Sequence, residues 1–100
     1  MFKDISIGNF TYNCGYYKVY DSVLTHVREL DDGNIKESYG LGALHDLTGW
    51  EAITVLEDGF DEFNKYGREP MAGESHVMMR MGQLLCACIR HPYEIVRCIQ

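Results

Sequence analysis

One hundred residues, 46% of them hydrophobic and twelve aromatic, are enough for one hydrophobic core and exclude a disordered or low-complexity chain. The formal charge of −6 is unevenly spread: residues 1–62 hold twelve acids against Lys3, Lys18, Arg28 and Lys36, a balance of −8, whereas residues 63–100 hold five bases against three acids, or +2. Direct binding to nucleic acid needs clustered Lys and Arg to meet the phosphates, so this balance points instead to a basic protein partner.

No stretch approaches the roughly 18 apolar residues of a membrane span, and the opening MFKDISIGNF lacks the basic-then-apolar order of a secretion leader. A soluble, cytoplasmic protein is expected. Ile5-Ser6-Ile7 and Phe10-Thr11-Tyr12 alternate apolar and polar residues around Gly8-Asn9, which predicts a short β-hairpin. From Tyr16 the period becomes helical, with Val19, Tyr20, Val23, Leu24, Val27 and Leu30 on one face, and Asp31-Asp32-Gly33-Asn34 ends the helix. Ile35 to Leu47 follows neither period and reads as loop with a helical turn at most.

Thr48-Gly49-Trp50-Glu51 has the form of a capping box, so a second helix is expected to start there. Its buried arc is expected at Ala52, Ile53, Leu56, Phe60 and Phe63, with Val55 and Tyr66 at the edge, although Gly59 weakens it. A loop follows at Tyr66 to Pro70. Ser75 to Arg90, the longest apolar-rich run, leaves only His76, Arg80, Gln83 and Arg90 as a polar strip and reads as a helix held on most sides. Pro92 interrupts it, and Tyr93 to Ile99 is expected to form a short last helix. The expected architecture is one α+β domain over residues 1–100, mostly helical: a short amino-terminal hairpin, then three to four helices around a central helix at about 75–90.

Cys14, Cys86, Cys88 and Cys98 read as reduced core thiols, with Cys86 and Cys88 both on the apolar arc of the central helix. A zinc site drawing on Cys88, His91 and Cys98, with Cys14 or His26 as fourth ligand, lacks the usual CxxC or HxxxH spacing. His45-Asp46 resembles a metal-binding doublet without the further ligands such sites require, and Asp58 to Glu62 misses the order of a calcium loop. No catalytic residue, metal or cofactor is assigned.

One surface rises above this background. On the helix after Thr48, Trp50 projects between Glu57 and Asp61 on the acidic side, with Glu51, Asp58 and Glu62 around it. Trp is enriched at binding hot spots, and the like-charge pairs Glu57 with Asp61 and Asp58 with Glu62 oppose helix formation. The competing arrangement has Trp50 folded back over the core and the acids merely solvating the helix. On the interface reading, Trp50, Glu51, Glu57, Asp58, Asp61 and Glu62 bind and occlude the basic surface of a nucleic-acid-handling protein. By analogy of composition alone, such chains include phage and mobile-element inhibitors of host defence complexes, anti-CRISPR proteins among them. The alternatives are a toxin-neutralising immunity or antitoxin protein, a small His/Cys metal protein or enzyme, and a homo-oligomer that completes the wide apolar arc of the central helix.

Overall fold

The alternation around Gly8-Asn9 closes as a hairpin. In the computed structural model, which describes residues 3–15, 17–65 and 74–99, Asp4–Ile7 (β1) and Phe10–Asn13 (β2) pair antiparallel, with Ile5 opposite Tyr12 and Ile7 opposite Phe10. Gly8, at φ 58, takes the first central position of the turn. The expected loop at 66–70, the arc residue Tyr66 and the helix start at Tyr16 lie outside the described residues.

The helix expected through Leu30 is confined to Val19–Val23 (α1). Leu24 turns extended, and the chain continues as Thr25–Glu29 (β3), which pairs in antiparallel register with Ile35–Tyr39 (β4). Two features favour strands here. Thr25 and Val27 are β-branched and stand on one face of a two-residue alternation, and the loop between the strands has the chemistry of a hairpin turn. The Gly33 amide donates to the Leu30 carbonyl (2.9 Å), Gly33 itself is left-handed at φ 84, and the Asn34 amide donates to the Asp32 carboxylate (3.0 Å). This is a type I turn closed by a glycine bulge, a common three-residue hairpin loop. The segment expected as loop is thus a strand followed by a 3₁₀ turn at Gly40–Leu44.

Thr48 caps Gly49–Asn64 (α2) as expected. The buried arc is rotated from the expected one: Ala52, Val55, Leu56 and Gly59 are buried, whereas Ile53, Phe60 and Phe63 are partly so. At Gly59 α2 comes close to its neighbours, for a Cβ there would stand 2.7 Å from Met81 Cε and 2.9 Å from Leu24 Cδ2. Glu74–Arg90 (α3) follows the expected span. It buries Val77, Met81, Leu84, Ala87 and Cys88, one face rather than most of its circumference, and leaves Met79, Cys86 and Ile89 exposed.

The expected last helix is the strand Arg97–Ile99 (β5). Buried Val96 and Cys98 alternate with exposed Arg97 and Ile99, a period of two that suits a strand and not a helix turn. β5 pairs with β1, giving a three-stranded sheet in the order β2–β1–β5 beside the separate β3–β4 ribbon. The mostly helical expectation is therefore corrected: among the described residues three α-helices stand with two small antiparallel sheets. One core joins Ile5 and Ile7 to Tyr20, Leu24, Leu44, Leu47, Leu56, Met81, Leu84 and Val96. Among the described residues no helix is long and apolar enough to cross a membrane.

Candidate functional site

The first turn of α2 is fixed from four directions. The Gly49 amide donates to the Glu94 carbonyl and the Trp50 amide to the Pro92 carbonyl, each at 2.9 Å. The Glu51 amide donates to Thr48 Oγ1 (3.2 Å), and the Ala52 amide to the Thr48 carbonyl (2.9 Å). The Ala52 bond is the first intrahelical one; the four amides that a helix start leaves without an intrahelical partner are those of Thr48, Gly49, Trp50 and Glu51, and all four are engaged. The reciprocal half of the capping box is present too, with the Thr48 amide and hydroxyl each 3.1 Å from Glu51 Oε1. Trp50 is presented from this anchored turn at 71% exposure, so the arrangement in which it folds back over the core is not the one adopted.

Trp50 shares an exposed face of α2 with Glu57 and Asp61, at helical angles within about 20° of its own. The six residues of the expected surface are all exposed, but their circumstances differ. Glu51 is occupied within the chain. The Thr48 amide is the main cause holding its carboxyl below the usual carboxylate value, the Thr48 hydroxyl and the charges of His26 and Arg28 act in the same direction, and slight desolvation opposes them. Glu62 lies 4.0 Å from Lys65. Glu57, Asp58 and Asp61 form no ion pair among the described residues, so their charges face solvent.

Asp58, Asp61 and Glu62 also line a cleft of about 580 Å³ whose other wall is Ser22, Val23 and Thr25, at the corner between α1 and β3. The sequence reading missed Ser22 and Thr25. It placed them on the solvent side of a long helix, and only the break at Leu24 turns that corner toward α2.

The other candidate chemistry resolves into structure. His45 Nδ1 accepts the Cys98 amide at 3.0 Å, and Asp46, left-handed at φ 65, lies 3.5 Å from His45 Nε2 and 3.1 Å from Arg97 Nη1. This doublet ties β5 to the segment after the 3₁₀ turn. Burial pushes the Cys14 and Cys88 thiols up to about 11 and Cys98 to about 12, which removes them as nucleophiles near neutral pH. Cys86, expected on the apolar arc with Cys88, is exposed instead. Among the described residues no three His, Cys, Asp or Glu side chains come together as a metal site, and the zinc set considered above is not assembled. Neither a family model, nor a curated protein, nor a solved structure matches the chain.

Proposed function

We propose that the chain is a protein-interaction module that uses α2 to cover a basic surface on a partner, of the kind that otherwise holds nucleic-acid phosphates. The observation that carries this reading is Trp50, 71% exposed on a first turn whose amides are all engaged, beside the unpaired carboxylates of Glu57, Asp58 and Asp61. An exposed indole on a fixed backbone loses little freedom when it docks, and the flanking charges steer a basic partner toward it. Glu51 and Glu62 are secondary on this reading because each already interacts within the chain.

The test compares the wild-type chain with a Trp50→Ala, Asp58→Lys, Asp61→Lys variant, both checked for folding by circular dichroism, as baits in host lysate. A basic nucleic-acid-handling protein is expected to be retained by the wild type and lost by the variant. Its association rate is expected to fall about tenfold or more between low salt and roughly 0.5 M salt, where the screening length is only a few Å. Retention of the same partner by both forms would move the interface off α2, and an affinity indifferent to salt would remove the electrostatic mechanism.

A further inference from the structure

A second surface, independent of α2, lies on the opposite side of the charge distribution. β2 is an edge of its sheet, with no strand beyond it among the described residues. The chain from Phe10 to Tyr17 passes α3 in the opposite direction: Phe10 lies against His91 just past the helix end, with ring centroids 5.9 Å apart, and Tyr17, beyond β2, lies against His76 near the helix start, at 5.4 Å. Cys14, just past β2, is within electrostatic reach of Arg80. Between the two elements runs an open groove of about 670 Å³, lined by Tyr12 of β2 and by Met79, Arg80, Gln83, Cys86 and Arg90 among the residues of α3.

Three properties of this groove select one kind of occupant. First, the outer backbone of β2 has no partner among the described residues. Ile7 and Phe10 flank a two-residue turn and so form the hydrogen-bonded pair that closes it, which leaves the amides of Thr11 and Asn13 directed away from β1. Second, the groove is basic. Neither Arg80 nor Arg90 is ion-paired among the described residues; Arg80 Nη1 donates to Gln83 (2.9 Å), and Arg80 Nε is buried with no hydrogen-bond partner. Asp4, which with Arg80 acts electrostatically on Cys14, is not paired with that guanidinium and has its own Oδ1 buried and unpartnered. Third, the spacing suits a strand. Ten residues of helix separate the arginines by about 15 Å, close to the roughly 13 Å between side chains four residues apart on one face of a strand.

We propose that this groove receives an extended acidic segment of a partner protein, which adds a strand to the open edge of β2 and sets carboxylates four residues apart against Arg80 and Arg90. The intervening side chain on the same face meets Cys86 and Tyr12, so an apolar residue is selected there. Main-chain bonds to β2 supply affinity, and the two arginines supply the preference for acids.

The probe is the peptide acetyl-Thr-Glu-Thr-Val-Thr-Glu-Thr-amide, titrated into the ¹⁵N-labelled full chain. Saturable shifts are expected at the Thr11 and Asn13 amides, with Cys86 protected from iodoacetamide over the same concentration range. Affinity is expected to fall about tenfold with Arg90→Glu, an exposed position that leaves folding intact, and by a similar factor when both peptide Glu residues are replaced by Lys. N-methylation of one alternate set of peptide amides is expected to abolish binding while the other set is tolerated, which is the signature of strand addition. Trp50→Ala is expected to leave all of this unchanged. The proposal is overturned if no saturable shift occurs up to roughly 1 mM, if shifts fall away from β2 and α3, if both N-methylated peptides bind alike, or if Arg90→Glu is silent.

Discussion

Thr48 and Glu51 exchange hydrogen bonds across the start of α2, and each end of that exchange has a measurable consequence. Thr48→Ala is expected to cost about 1 kcal/mol in urea unfolding, the usual loss for an amino-terminal cap. Glu51 contributes with a pH dependence whose sign follows from its lowered carboxyl value. A carboxylate held below its unfolded value stabilises the fold fully above that value, near ~4.3, and loses the contribution as pH falls through the folded value. The stability gap between wild type and Glu51→Gln is therefore expected to be flat from neutral pH to about 5 and to close below about 4; because Glu51 is exposed, the gap itself is small. Both residues were legible in the sequence because the motif sits within four consecutive positions. Of the cysteines, Cys14, Cys88 and Cys98 are buried as read and Cys86 is not: Cys86 and Cys88 stand about 200° apart on a helix, so both lie on one apolar arc only if that arc is very wide. The structure buries one of them, and at pH 8 a thiol reagent is expected to label Cys86 quickly while Cys14, Cys88 and Cys98 react only on unfolding.

Helix α2 is held at two close approaches that respond differently to the same substitution. A Cβ on Gly49 would stand 2.2 Å from the His91 carbonyl oxygen and 2.9 Å from that of Cys88, backbone atoms at the end of α3 that cannot withdraw singly. A Cβ on Gly59 meets the ends of the Met81 and Leu24 side chains, and Met adapts readily. Gly59→Ala therefore sets an overpacking cost of about 1–3 kcal/mol against about 1 kcal/mol of helix propensity. Unfolding by urea is expected to show Gly49→Ala as the more damaging of the two, and equal losses would mean that the α2–α3 contact relaxes as a unit. The long helices could be read because each sustains one period over four turns. Residues 19 to 39 could not, since Val19, Tyr20, Val23, Leu24 and Val27 fit a helical stripe while Thr25, Val27 and Glu29 also fit a strand. The deciding partner, Ile35 to Tyr39, lies across the turn and carries exposed Ile35 and Tyr39, so no buried face announces it.

Across the whole molecule, acidity concentrated in the first two thirds of the chain meets a helix that concentrates it further. Asp58 stands one turn before Asp61 and Glu62, and of the three only Glu62 is ion-paired among the described residues, with Lys65. At these spacings like charges destabilise a helix by roughly 0.2–0.5 kcal/mol per pair. If the face is kept for a partner, reversing one of its charges should improve the fold while harming the function. Asp58→Lys places a base next to two acids and is expected to raise stability by a few tenths to about 1 kcal/mol at low salt. The gain should shrink toward zero at roughly 0.5 M salt, because the charges are exposed and screened there. Urea unfolding of wild type and variant at the two salt concentrations measures this without knowledge of the partner. A gain that vanishes with salt identifies Asp58 as a charge held against the interest of the fold, as an interface residue would be. A loss of stability at both salt concentrations would mean instead that Asp58 supports the corner formed with Ser22 and Thr25, and the acidic cleft would then belong to the architecture.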